Sequence, residues 1–259
     1  MVEKLFKELS ELPQVEAIAL GGSRSGTEYD EKSDYDVYMY CTEDIDAEIR
    51  RRILSKYCCY IELNNSYWER EDNCTLIGGV DIDILYRNLD GFVSGVASVV
   101  ENFEAHNGYT TCMWHNLNTC KIIFDRNGRL TKAKARFDVR YPEKLKQNII
   151  ERNLNLLHNA LPAYDAQIKK AVTRNDRVSI NHRTAAFIES YFDIIFAYNE
   201  LTHPGEKRLI QLCKRNCKKL PADFEKNLDA LFDDMFTNSE LIAEDLKQIT
   251  DRLNEMLNS

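Results

Sequence analysis

The chain has 259 residues, 44% hydrophobic and 29% charged, proportions that exclude wholesale disorder and a collagen-like fibre. Its net charge of −8 makes it a poor general binder of nucleic acid, because phosphate contacts need a basic footprint. No apolar run approaches the ~18 residues of a membrane span, and Met1-Val2-Glu3-Lys4-Leu5-Phe6-Lys7 lacks the apolar core of a signal peptide, so the expectation is a cytoplasmic protein with no membrane partner.

In chain order, β-rich runs first alternate with helical ones. Strands are expected over 15–20, 34–41, 60–63, 80–86 and 121–124, and helices over 2–12, 45–57 and 89–103. Asp125-Arg126-Asn127-Gly128 reads as a turn. After Tyr141-Pro142 the pattern is helical almost throughout, with helices near 143–173, 180–201, 206–219, 222–236 and 239–257. This places an α/β domain over 1–140 and a helical bundle over 141–259. Charge is divided just as unevenly. Residues 1–140 hold 17 of the 34 basic side chains and 24 of the 42 acidic ones.

Eight cysteines, at positions 41, 58, 59, 74, 112, 120, 213 and 217, form no Cys-x-x-Cys pair and read as free thiols in a reducing compartment. The five histidines show no ligand spacing. The stretch 207–219 carries six basic residues and no acid. It reads as the solvated face of a helix whose apolar stripe holds Leu209, Leu212, Cys213 and Leu220, or else as a patch that meets phosphate.

Chemistry concentrates in three places. The strand ending Ala19-Leu20 runs into Gly21-Gly22-Ser23-Arg24. Two glycines let the backbone turn sharply and approach a ligand closely. Exposed N–H groups and the Ser23 hydroxyl suit phosphate oxygens. Ten residues after Ser23 comes Asp34-Tyr35-Asp36 on a second strand. Alternation puts both carboxylates on one face, where they repel until a hard cation joins them. Mg²⁺ prefers one or two carboxylates completed by phosphate oxygens and water. A later strand, Val80-Asp81-Ile82-Asp83-Ile84, again puts two carboxylates, Asp81 and Asp83, opposite an apolar face. Converging carboxylates beside a glycine-rich loop are equipment for two-metal nucleotidyl transfer. A P-loop is excluded because Gly26 precedes Thr27-Glu28, and a dinucleotide fingerprint fails on glycine spacing.

This order of motifs resembles the nucleotidyltransferase superfamily typified by DNA polymerase β, specifically over 19–38 and 78–86 and only in texture beyond. Within it the chain looks like the lincosamide and aminoglycoside nucleotidyltransferases and related uncharacterised bacterial ones. The resemblance implies an α+β fold, a mixed-sheet catalytic domain followed by a helical substrate-binding domain. It implies a transferase that moves a nucleoside monophosphate, AMP from ATP by default, to a hydroxyl of a small molecule such as an antibiotic. It assigns two Mg²⁺ ions to Asp34, Asp36 and Asp81, and the triphosphate to Gly22, Ser23, Arg24 and Lys207. Asp83 is left to the acceptor, although alternation does not choose between it and Asp81. A protein or RNA acceptor and a non-catalytic nucleotide-binding or antitoxin module are the alternatives. Tyr35 stands where the family usually has an aliphatic residue.

Overall fold

A computed structural model describes residues 1–22, 24, 33–67 and 69–259. The chain divides into two compact units. The first comprises Met1–Ala97 and Asn116–Val139, and the second Ser98–His115 and Arg140–Ser259. Residues 98–115 therefore group with the helical unit.

The first unit is built on a six-stranded sheet of β1 (Val15–Leu20), β2 (Tyr35–Cys41), β3 (Cys58–Asn65), β4 (Glu71–Leu76), β5 (Asp81–Arg87) and β6 (Lys121–Asp125), in the order β3-β4-β5-β2-β1-β6. Among the described residues only β2 and β5 pair in parallel; the other pairs are antiparallel. One face is apolar. Ile18, Leu20, Val37, Met39, Ile82 and Ile84 pack with Leu5, Phe6 and Leu9 of α1 (Val2–Ser10) and Ile53 and Leu54 of α2 (Ala47–Leu54). The Asp46 side chain caps α2 by accepting from Glu48 N–H at 2.8 Å, which satisfies one of the donors every helix start leaves open. On the other face α3 (Leu89–Val100) lays Phe92 against Tyr40, with ring centroids 5.4 Å apart. The side chains that β3, β4 and the start of β5 present on that face are largely polar.

Strand β4 is absent from the sequence expectation. Its pattern alternates, but the inward position Asp72 is charged, and so the run does not read as a strand. Burial is possible because Arg50, itself buried, forms an ion pair with Asp72, and Tyr86 donates to Asp72 at 2.8 Å. A buried carboxylate needs such partners. The short helices α4 (Cys112–Thr119) and α5 (Arg129–Arg136) were not expected either; eight residues give little periodicity to read.

The second unit contains α6 (Glu143–Leu154), α7 (Tyr164–Thr173), α8 (Arg177–Tyr198), α9 (Leu209–Asn216), α10 (Phe224–Thr237) and α11 (Ile242–Leu257). The expected single helix over 143–173 is broken by a π-helical turn at Asn155–Asn159 and then by Pro162, which has no N–H to continue the ladder. Helix α8 is central. Eight consecutive residues, Ser190 to Ala197, are buried, so it is covered all round rather than along one stripe. Its neighbours in the core include Leu228, Leu231, Ile249 and Leu253. Among the described residues no helix is long and apolar enough to cross a membrane.

Within that core Asp193 is 1% exposed. Its carboxylate accepts from Thr110 N–H at 3.1 Å, Thr110 Oγ1 at 2.6 Å and Asn153 Nδ2 at 3.2 Å. Burial pushes its pKa up to about 6, against the pull of Thr110 and Asn153. The folded value lies above the ordinary 3.8. Native Asp193 therefore keeps a proton between about pH 4 and pH 6 that the unfolded chain has released. Stability from this group is complete below that window and is lost as pH rises through about 6. Asp193→Asn does not titrate. The variant is expected to be less stable than wild type by a gap that narrows, on the order of 2 kcal/mol, from pH 4 to pH 7. Chemical denaturation at the two pH values measures this, and an equal gap at both would show that Asp193 does not titrate there.

Candidate functional site

Strand β1 ends at Leu20 and leads straight into Gly21-Gly22. Gly21 N–H donates to the Asp36 carbonyl at 2.8 Å, which holds the glycine turn against the start of β2. Neither glycine has room for a side chain. A Cβ on Gly21 would lie 2.3 Å from Tyr38 Cε2, and one on Gly22 would lie 1.7 Å from Asp36 Oδ2. Gly22 also sits at φ +56°, a conformation that L side chains rarely adopt. The loop backbone is thus laid directly on the Asp36 carboxylate. Gly22→Val is expected to force the two apart and weaken ATP binding by roughly tenfold or more. Calorimetry with ATP and Mg²⁺ measures it, and an unchanged affinity would move the nucleotide site elsewhere.

The sheet register sets the rest. In the parallel pair, Tyr35 is level with Ile82 and Asp36 with Asp83. Neighbouring strands lie about 4.8 Å apart, so Asp36 and Asp83 are lateral neighbours on one face. Asp34 and Asp81 are the residues immediately before the Tyr35–Ile82 pair; both are exposed. On the far side of β5, Asn73 is level with Asp83 and Thr75 with Asp81. Asn73 Nδ2 donates to Asp83 Oδ1 at 2.7 Å, and Thr75 Oγ1 donates to Asp81 Oδ1 at 2.8 Å. Burial and then the Asp83 charge raise the pKa of Glu71, on the same face of β4.

Further along this face the side chains are more enclosed. Tyr38 accepts from Asn116 Nδ2 at 2.6 Å. The Arg87 guanidinium lies 4.2 Å from the Tyr38 ring centroid and holds Glu69 through two hydrogen bonds of 2.7 and 2.6 Å. The motifs did not point to Asn73, Thr75, Arg87 or Glu69. For Glu69, Asn73 and Thr75 the only signal in the sequence is a polar stretch between two recognisable strands, and Arg87 directly follows the second of these.

The other expected site residues are placed as follows. Ser23 lies outside the described residues. Arg24 is directed to Tyr35 rather than along the Asp36 face. Its guanidinium carbon is 3.8 Å from the Tyr35 ring centroid, and its Nε donates to the Ser33 carbonyl at 2.6 Å. Tyr35 alternates away from Asp36 and packs edge-on against Phe6 of α1. A cavity of 510 Å³ with Phe6, Lys7, Arg24, Tyr35 and Lys121 in its wall opens on that side. Lys207 belongs to the helical unit and is exposed just before α9. The basic stretch is shorter as a helix than expected, because Arg208 takes a left-handed conformation at the N-cap and Cys217 an extended one at the C-cap. Lys214 pairs with Glu225, and Lys219 sits 5.8 Å from the Tyr198 ring, as befits a solvated face. Cys213 is buried beneath.

Among the described residues no three histidine, cysteine, aspartate or glutamate side chains are grouped so as to hold a metal by themselves. Paired carboxylates with a backbone turn against one of them suit a different kind of ion. Mg²⁺ takes one or two carboxylates and completes its shell from phosphate oxygens and water. The donor set fits a cation that arrives with a triphosphate.

Residues 110–209 match a family model described as a domain of unknown function, DUF4037. No curated protein matches the sequence. Among solved structures, the chain is similar to a nucleotidyltransferase-like protein from Exiguobacterium sibiricum 255-15, with 11% identity and a TM-score of 0.45 over 100% of this chain and 75% of that one. It is also similar to an aminoglycoside 6-adenyltransferase from Bacillus subtilis, with 9% identity and a TM-score of 0.32 over 100% and 90%. The mixed sheet carries the Gly-Gly turn at the end of its first strand, Asp-x-Asp at the start of its second and two further aspartates on the parallel neighbour.

Proposed function

We propose that the first unit transfers a nucleoside monophosphate, AMP from ATP by default, to a hydroxyl of a small acceptor and releases pyrophosphate. The observation that carries this reading is the contiguity of Gly22, Asp36 and Asp83: a backbone turn against one carboxylate, with a second level with it on a parallel strand. Asp34 and Asp36 hold Mg²⁺ together with the triphosphate. The third carboxylate comes from β5. The family pattern points to Asp81, while the register gives the place beside Asp36 to Asp83. Two Mg²⁺ ions, when bound, neutralise triphosphate charge and lower the pKa of the acceptor hydroxyl.

The chain's own groups then have separate tasks. The Gly21-Gly22 turn, with Ser23, receives the β and γ phosphates through the close approach that glycine permits. Holding the acceptor oxygen in line with the α-phosphorus supplies much of the rate, because orientation is already provided when the reaction begins. Arg24 is the candidate to offset charge on the departing pyrophosphate, and it would have to leave the Tyr35 ring. On the acceptor side, Glu62, Glu71, Asp81 and Asp83, interspersed with Asn65, Asn73 and Thr75, give an acidic, amide-rich face. That face suits a cationic, hydroxyl-rich molecule such as an antibiotic.

The test is incubation with radiolabelled ATP, Mg²⁺ and three separate acceptor pools: hydroxylated drugs, total RNA and cell protein. Label on small molecules, with one pyrophosphate released per label, is expected. Label confined to RNA or protein would replace the acceptor, and no transfer to any pool would remove the enzymatic reading.

A further inference from the structure

A line of hydrogen bonds crosses three strands on the polar face and ends on Asp83. Tyr60 on β3 donates its hydroxyl to Glu62. Glu62 Oε2 also accepts from Asn65 Nδ2 at 3.1 Å. The same Asn65 amide donates to Asn73 Oδ1 on β4 at 2.6 Å, and Asn73 Nδ2 donates to Asp83 Oδ1 on β5 at 2.7 Å.

The direction of this line is fixed by its carboxylates. An ionised carboxylate only accepts, so Asn73 must turn its NH₂ toward Asp83. Its carbonyl oxygen then faces Asn65, which must present NH₂. Glu62, also an acceptor, takes the second hydrogen of that NH₂. Neither amide can flip without setting oxygen against oxygen. One orientation therefore satisfies every link, and it leaves Asp83 with one oxygen engaged and its carboxylate plane held.

We propose that Asn73, backed by Asn65 and Glu62, is a positioning residue that orients Asp83 toward Asp36 for cation binding. The inference rests on the metal-dependent reading given above. It is separate from the identity of the acceptor and from the roles of Asp34 and Asp36 themselves. Groups of this kind fix the geometry of a metal-binding side chain, and their loss typically costs 10–100-fold in affinity.

Position 75 on the same strand suggests the variants. There a threonine hydroxyl serves Asp81 in the equivalent cross-strand place. Asn73→Thr should therefore restore a donor to Asp83, whereas Asn73→Val has nearly the same shape and the same strand preference but no donor. Mn²⁺ supplied with a non-hydrolysable ATP analogue, followed by the change in its electron paramagnetic resonance signal on joining the full chain, reports binding without any turnover.

The expected result is Mn²⁺ binding by wild type and its loss in Asp36→Asn. Asn73→Val should bind about tenfold more weakly or worse, and Asn73→Thr within about threefold of wild type. The two Asn73 variants should share one melting temperature. Wild-type Mn²⁺ affinity in Asn73→Val would overturn the positioning role alone. Equal weakening in Val and Thr would also overturn it, by showing that shape rather than the donated hydrogen bond matters. Absence of Mn²⁺ binding by wild type would remove the metal-dependent reading and this inference with it.

Discussion

Asp36→Asn is expected to lower turnover by at least about 10³-fold, roughly 4 kcal/mol of transition-state stabilisation, while the fold persists. The substitution keeps the side chain's size and one oxygen but removes the charge a hard cation needs. Asp36 is the carboxylate on which the rest of the site is assembled. Gly22 is laid against it, its backbone carbonyl receives the Gly21 N–H, and Asp83 is level with it on the parallel strand. The residue sits in the second position of β2, among strands whose apolar face it does not share. Its neutralisation should therefore leave the melting temperature nearly unchanged without Mg²⁺. Addition of Mg²⁺ with ATP should raise the melting temperature of wild type and not of the variant, because a ligand stabilises only a protein that binds it. Turnover within tenfold of wild type would count against cation binding at this carboxylate.

The motif-bearing strands were legible because their requirements are local. Gly-Gly after a strand and aspartates spaced by two depend on backbone freedom and on alternation alone, and the turn and faces so expected are present at Gly22, Asp36 and Asp81–Asp83. Strand β4 was hidden because its alternation is carried partly by Asp72, whose burial depends on Arg50 from α2 and Tyr86 from β5. Without β4 the roles of Asn73 and Thr75 had no basis, since an amide between two strands is informative only once its cross-strand partners are known. Proximity in sequence does not fix where Arg24 points. The residue follows the Gly-Gly turn, and its guanidinium meets a ring face at Tyr35 on the opposite side of the sheet. Asp193 was passed over for a related reason. It lies in the continuously buried stretch Ser190–Ala197 of α8, and its partners Thr110 and Asn153 are 83 and 40 residues away. The parallel register between β2 and β5 joins residues 47 positions apart (Asp36 to Asp83), and periodicity within either strand does not determine it.

That register decides the last expected result. Asp83→Ala should reduce kcat by about 10²-fold or more, and Asp81→Ala should reduce it by less than about tenfold, with any effect appearing mainly in acceptor KM. The family pattern favours Asp81, which opens β5 after the Gly78-Gly79 turn. The sheet favours Asp83 on three grounds. It is the lateral neighbour of Asp36, whereas Asp81 is level with Asp34, one residue before β2 begins. It is half-buried, whereas Asp81 is exposed, and a cation gains more from a carboxylate shielded from bulk water. It is also held by an amide line anchored across β4 and β3, whereas Asp81 receives the single Thr75 hydroxyl. Steady-state kinetics on the two alanine variants, with ATP affinity measured separately, distinguishes the assignments. ATP should still bind in both, because Asp34 and Asp36 remain with the triphosphate. If Asp81→Ala abolishes pyrophosphate release and Asp83→Ala remains active, the third carboxylate is one repeat nearer the strand's start. Asp34 and Asp81 would then be the pair that grips the ion, and the Asn73 line would serve the acceptor side of the face.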